Sequence, residues 1–381
     1  MRALFYAAGT SPASAFAIAP LASALRTAGH EVLVASFEEM SSAVLGVGLP
    51  SVVVAAGHTT DDIKVAAPGR PAIEYPHQPE QEMPFLGHWF GRQGSYVFED
   101  LVEVARVWGA DVIIAGSLGH GAEVAAKYLD VPFVRQSWDV FDIHGYEKYV
   151  CEEMATQLAL IGSNSLPEPT LQLDICPPSL GSDKSTLMRW TPHNSPCVIE
   201  KWMLEAPEDG RICLTMGSFR YADPRVMGRM LDLLKELTTL GREVVVAIGE
   251  DKAQLIRDRF PNVRAGWIPL EFILPGCDLI IHPAGGLTAI NAINSATPQL
   301  LLNPFEAFIP TLRRLTQQGS ARSLYRDEGT PTAVADAAAE MLAEPRYVLQ
   351  AEELARDALR APTAAGVVSS IEDLLLNPTP A

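Results

Sequence analysis

Apolar residues come along this chain in short blocks with two alternating rhythms. "ALFYAA" (Ala3–Ala8) and "EVLVAS" (Glu31–Ser36) are dense apolar runs. Between them, in "AFAIAPLASALRTAGH", Phe16, Leu21, Leu25 and Ala28 fall near helical spacing, and Gly29 stands where a helix C-cap belongs. Strand, helix, strand at this pitch predicts a βαβ unit and hence a parallel sheet. The rhythm continues through "GLPSVVVAA", the helix-like "WFGRQGSYVFEDLVEVARVWGA" and the strand "DVIIAGS" (Asp111–Ser117). "GAEVAAKYLDVPFVRQSWD" then supplies a helix, a turn and a strand ending at Trp138-Asp139, and residues 142–169 read as helical. The polar, Pro-rich and His-bearing stretch from Gly57 to about Met83 is long for a structureless connection, which marks it as mobile or functional.

"CVIEKWMLEAPEDGR" reads as a linker, and a second α/β pattern follows it. "ICLTMGS", "REVVVAIG", "VRAGWIPL", "CDLIIHPAGG" and "PQLLLNPF" are its strands with their exits, separated by helical segments. The predicted fold class is α/β: two doubly wound, Rossmann-like parallel sheets facing a cleft. The expected division is 1–200, a linker at 201–210, a second domain at 211–362, and a tail at 363–381 that packs back on the first half.

Composition narrows the function. At 381 residues the chain exceeds one ordinary core, which suits two domains of roughly 150–200 residues. A formal net charge of −17 argues against nucleic-acid binding, because no basic field is available to replace phosphate counterions. The five cysteines are scattered and none has metal spacing, so reduced thiols in a cytoplasm are expected and no metal site. "MRALFYAAGTSP" reads as a first strand and loop rather than a signal peptide, and no apolar run approaches the roughly 18 residues of a membrane span.

In open parallel sheets, ligands sit at the carboxyl ends of strands, where helix N-termini point free N–H groups outward. Four such junctions stand out. "GTSPASAF" is short and hydroxyl-bearing, with Ser11 as a candidate phosphate contact or an ordinary helix start; it is not a dinucleotide fingerprint. "TMGSFR" places Gly217 and Ser218 in a turn after a strand, and "GWIPL" places Trp267 and Ile268 at a strand exit. In "HPAGGLTAINAI", Gly285 and Gly286 permit positive φ and close backbone approach, while Thr288 is a candidate cap or anion ligand.

The order of "MGS", "GWIPL" and "HPAGGLTAINAI…PQLLL" resembles the nucleotide half of GT-B glycosyltransferases that decorate bacterial natural products, and "APLASALRTAGHEV" has the same look in the first half. "RQSWD" and "LDICPPSL" are most similar to the olivosyltransferases of angucycline pathways, of the urdamycin and landomycin type. The resemblance covers essentially the whole chain. It implies inverting, metal-independent transfer from a dTDP-deoxysugar, with dTDP-olivose the first candidate, onto an aromatic polyketide, and no cofactor. It further implies that Ser11, Gly217, Ser218, His282, Gly285, Gly286 and Thr288 meet the donor diphosphate, and that Trp267 and Ile268 meet the nucleoside. A homodimer is a candidate assembly.

The chain departs from that family in two places. Relatives often carry a His or Asp base in the first loop, and Gly9–Phe16 holds neither. Relatives also often place an Asp-Gln pair after the "PQ" strand to bond sugar hydroxyls, and here that segment is "NPFEAFIP", which favours a less hydroxylated sugar. For the base, Asp139 is the first choice and His120 the second, although an Asp or His at such places equally serves as a cap. His58, Ile63, His77 and Trp138 are the candidate acceptor contacts, whereas His30 reads as structural. O-linkage is favoured over C-linkage; a nucleotide-sugar epimerase and a non-catalytic helper protein stand as the alternatives of other classes.

Overall fold

Both halves of the chain fold around wholly parallel sheets, as the alternating pattern predicts. The computed structural model describes residues 1–9, 11–66, 69–137, 145–181, 185–217, 224–303, 305–306, 309–325 and 328–376. The first sheet holds β1 (Arg2–Tyr6), β2 (Glu31–Ser36), β3 (Ser51–Val53), β4 (Val112–Gly116), β5 (Phe133–Gln136), β6 (Leu171–Asp174) and β7 (Thr186–Leu187), in the order β3-β2-β1-β4-β5-β6-β7. The second holds β8 (Arg211–Leu214), β9 (Glu243–Ala247), β10 (Arg264–Gly266), β11 (Leu279–His282), β12 (Gln299–Asn303) and β13 (Ala321–Tyr325), in the order β10-β9-β8-β11-β12-β13. In each sheet the winding reverses between the first strand and a later neighbour, β1 with β4 and β8 with β11. Such reversals open a crevice at the carboxyl ends of the strands.

Burial on both faces explains the near-continuous apolar strands. Leu4, Phe5, Ile113, Ile114, Ile212, Leu214, Ile280 and Ile281 are all fully enclosed. In the first half the covering helices are α1 (Ala13–Thr27), α2 (Ser41–Gly46), α3 (Glu82–Trp108), α4 (His120–Leu129), α5 (Glu147–Glu153) and α6 (Ala155–Leu160). In the second they are α7 (Pro224–Leu237), α8 (Glu250–Arg259), α9 (Leu270–Ile273), α10 (Gly286–Asn294), α11 (Ile309–Gln317), α12 (Pro331–Ala343) and α13 (Arg346–Ala358), whereas Val368 and Ile371 of α14 (Val368–Leu376) join the core of the first half.

Helix α3 corrects one expectation, since it begins at Glu82 and takes in residues that read as loop. Its glycines disguise it. A Cβ on Gly87 would stand 2.4 Å from the Tyr146 carbonyl oxygen, one on Gly91 2.7 Å from Val150 Cα, and one on Gly94 2.9 Å from the Gly121 nitrogen. Close packing of α4 and α5 against α3 requires those glycines, whatever they cost in helix propensity.

The stretch before α3 is fastened at several of its described residues. Arg92, nearly fully buried, forms a two-pronged ion pair with Glu153 at 3.0 and 2.8 Å and donates to the Pro71 carbonyl at 2.9 Å. Trp89 Nε1 donates to the Thr60 carbonyl at 3.0 Å. The two halves meet through α10: Trp190 Nε1 donates to Asn291 Oδ1 at 2.7 Å, and Asn294 donates to the Trp190 carbonyl at 3.0 Å. Glu372 of α14 lies 2.9 Å from His30 Nε2. Among the described residues, no helix is long and apolar enough to cross a membrane.

Candidate functional site

The exits of β8 and β11 lie side by side, because Thr215 donates its backbone N–H to the Ile281 carbonyl at 3.0 Å. Gly217, with φ at 68°, turns the chain so that a Cβ there would meet Pro283 Cγ at 3.7 Å. The "MGS" turn and the "HPAGG" loop therefore form one wall. Ser218 falls outside the described residues.

The loop after β11 does not work as its glycines suggest. The left-handed position is Ala284, φ 59°, while Gly285 is extended at φ −67° and Gly286 opens α10. An alanine in that conformation costs about 1 kcal/mol or more, a strain of the kind found where a loop serves a ligand. Gly285 caps α10 without any side-chain hydrogen bond, and Thr288 does not supply the cap. The first-turn N–H groups of a helix have no acceptor within it, so this uncapped end presents donors and about half a positive charge. A Cβ on Gly285 would meet only Thr288 Oγ1, at 3.6 Å, which is ordinary contact. Protein packing leaves that space unused.

His282 ends β11 and is completely enclosed. Its Nε2 lies 3.0 Å from Gln299 Oε1, whereas its Nδ1 is buried without a partner. Burial pushes its pKa down to about 4, partly offset by the Gln299 bond, so the ring is neutral near neutrality. Because Gln299 offers its oxygen, Nε2 carries the proton and donates, and Nδ1 of the neutral ring can only accept. Gln299, not singled out in the sequence, thus governs the tautomer. Trp267 is 42% exposed directly after β10, a flat ring open for stacking, while Ile268 packs beneath it in a core with Ile280 and Ala292.

In the first half, His120 opens α4 just beyond β4 and is not a cap. Its Nδ1 lies 2.9 Å from Glu123 Oε1, one helical turn on, and Arg135 of β5 pairs with the other oxygen of Glu123. Glu123 is 2% exposed; burial pushes its carboxyl pKa up, but the bonds and charges of His120 and Arg135 outweigh this and hold it below the usual range. Arg135 supplies a counter-charge to the buried carboxylate, and the bond to Glu123 fixes the orientation of the imidazole. His120 Nε2 is buried without a partner, and the ring stands edge-on to Tyr146 at 5.8 Å. The "HGAE" spacing, with both side chains on one helical face, is the signal that would have paired His120 with Glu123.

The remaining sequence candidates are dispersed. Asp139 and Trp138 lie outside the described residues. Ser11 is half-buried, and its carbonyl accepts the Ser14 hydroxyl at 3.1 Å. His58 is exposed with its ring 5.1 Å from Tyr96, and His77 is exposed near the start of α3. Ile63 is enclosed in the first hydrophobic core at 1% exposure, which leaves it no surface for an acceptor.

Two family models match the chain: the erythromycin biosynthesis protein CIII-like N-terminal domain over residues 23–217, and the corresponding C-terminal domain over residues 231–374. The L-demethylnoviosyl transferase of Streptomyces niveus is 31% identical, over 96% of this chain and 96% of that protein. The 10-deoxymethynolide desosaminyltransferase of Streptomyces venezuelae is 28% identical, over 94% of each. Among solved structures, a Streptomyces sp. SF2575 glycosyltransferase complexed with thymidine diphosphate superposes with a TM-score of 0.85 at 28% identity, covering 98% of this chain and 99% of that one.

Proposed function

The chain belongs to the erythromycin biosynthesis protein CIII-like family of GT-B glycosyltransferases, and from that premise we propose that it transfers a deoxysugar from a TDP-sugar to an aromatic polyketide in antibiotic biosynthesis. The observation that carries the donor reading is the uncapped α10 terminus, with the Gly217 turn beside it. In this reading the diphosphate accepts from the α10 N–H groups and from the Thr288 hydroxyl, with Gly217 alongside, and thymine stacks on Trp267. Negative charge builds on the leaving diphosphate, and fixed donors aimed at it stabilise the transition state without reorganising. An anion held by backbone dipoles also suits a protein of net charge −17. The names of the two transferases above support a deoxysugar, and the thymidine diphosphate complex supports the nucleotide; D-olivose is the first sugar to try.

The acceptor phenol attacks C1 of the sugar from the face opposite the diphosphate, so that the new C1–O bond forms as the bond to phosphate breaks and the configuration inverts. A phenol has a pKa near about 10, so a base within hydrogen-bond reach eases its deprotonation. His120 is the proposed base, taking the proton on Nε2 while Glu123 steadies the imidazolium through Nδ1. Asp139, first on sequence grounds, is the residue to test against it. The stretch of residues 57–85, fastened by Arg92 and Trp89, borders the acceptor. Incubation with TDP-olivose and an angucyclinone, followed by NMR of the product, tests the whole reading. A glycoside bond at a phenolic oxygen supports it, and a carbon-linked sugar would move the attacking atom to the ring.

A further inference from the structure

The first half hides two polar atoms that its own side chains do not satisfy. Tyr6 ends β1 at 1% exposure, and Gln136, which ends β5, is fully enclosed. Among the described residues, neither Tyr6 Oη nor Gln136 Oε1 has a hydrogen-bond partner, and both are sealed from solvent. A polar atom buried in that way lowers stability unless something else bonds it.

Both residues border one small cavity. Tyr6, Gly116 and Gln136 line it from the ends of β1, β4 and β5, and Ser14, Ala17 and Ile18 line it from the first turns of α1. Its volume is about 10 Å³, room for one water-sized sphere and for no larger molecule. It lies where the winding of the sheet reverses between β1 and β4.

The surroundings fix what each group offers. Gln136 Nε2 donates to the Ala17 carbonyl at 2.7 Å, and because a carbonyl only accepts, the amide oxygen is the end left over. Burial raises the Tyr6 phenol well above its ordinary pKa, so it keeps its proton and donates. The Ser14 hydroxyl donates to the Ser11 carbonyl at 3.1 Å, which leaves its oxygen able to accept. The cavity therefore presents one donor and two acceptors. An anion would face two oxygens of its own kind, whereas a water molecule has two hydrogens to give and lone pairs to receive one.

We propose that this cavity is a binding site for a single ordered water, which accepts from Tyr6 Oη and donates to Gln136 Oε1 and Ser14 Oγ. Three bonds is the usual number for a buried water. The bridge ties the ends of β1 and β5 to the start of α1, alongside the bond from Gln136 to Ala17. Gly116 and Leu118 of the cavity wall lead into His120 at the head of α4, so the same water borders both junctions on the floor of the first crevice.

A crystal structure of the unmodified full chain that resolves ordered water tests the site directly. One water peak bonded to Tyr6 Oη, Gln136 Oε1 and Ser14 Oγ is expected, and a cavity without that peak overturns the proposal. Urea unfolding of Tyr6→Phe tests it by sign. With the water in place the variant loses one hydrogen bond, and its folding constant should fall by about 2- to 13-fold. If the hydroxyl has no partner, its removal relieves a buried unpaired group, and a more stable variant overturns the site. Tyr6→Phe and Ser14→Ala both take bonds from one water. The double variant should therefore lose less than the product of the two single losses, by about twofold or more, and strict additivity overturns the shared bridge.

Discussion

His120 holds its Nδ1 2.9 Å from Glu123 Oε1, while Arg135 occupies the other oxygen of the same carboxylate. This arrangement orients the ring, fixes which nitrogen is free and stabilises the charge that arises on protonation. His120→Asn is expected to lower kcat by about 10²- to 10⁴-fold with TDP affinity retained, the usual scale of a lost general base. Asp139→Asn is the control. Normal turnover in His120→Asn, with turnover abolished in Asp139→Asn, would transfer the assignment to Asp139.

Gly285→Ala separates a ligand role from a packing role. The added methyl meets only Thr288 Oγ1 at 3.6 Å, and Gly285 is extended, so thermal stability should change by less than about 1 kcal/mol. The same methyl stands in the mouth of α10, and TDP affinity should fall by about tenfold or more. A destabilised variant with unchanged affinity would reduce this glycine to a structural one.

Trp267→Ala should cost little stability, since the ring is already 42% exposed. Loss of a base-stacking platform is worth about 1–3 kcal/mol, which predicts TDP binding weakened by about 5- to 160-fold. Equal affinity for TDP in the variant and the unmodified protein would place the thymine elsewhere.

His282 makes stability depend on pH in a defined window. Its folded pKa is about 4 against 6.5 unfolded, so between those values the unfolded chain binds the extra proton. The contribution is complete above 6.5, is lost as pH falls toward 4, and spans on the order of 3 kcal/mol. Urea midpoints measured across that window should show a shallower pH slope in His282→Leu than in the unmodified protein. Parallel slopes would mean that the imidazole takes up its proton without loss of the fold.

The fold was legible because buried parallel strands need nearly unbroken apolar runs: Glu31–Ser36 is a strand as read, and Val112–Gly116 lies inside the predicted run. The three strand exits of the second half were legible too, since each is rich in Gly or bears Trp. What sequence concealed is pairing at a distance. Nothing in "NPFEAFIP" announces that Phe305 meets the ring of Tyr75, more than two hundred residues earlier, and nothing in "PQLLL" shows Gln299 reaching His282. The start of α3 was hidden because Gly87, Gly91 and Gly94 answer to the backbones of other helices rather than to helix propensity. Ala284 was hidden for a related reason, because the strain falls on an alanine beside two glycines that do not need it.

The central claim is transfer of a sugar from TDP to an acceptor, and the release of TDP measures it most directly. With a TDP-deoxysugar alone, the enzyme should release TDP slowly and return the sugar unchanged. Adding an aromatic polyketide phenol should accelerate release and yield one mole of glycosylated product per mole of TDP. A sugar whose configuration changes without acceptor, or TDP release that acceptor never accelerates, would contradict the account.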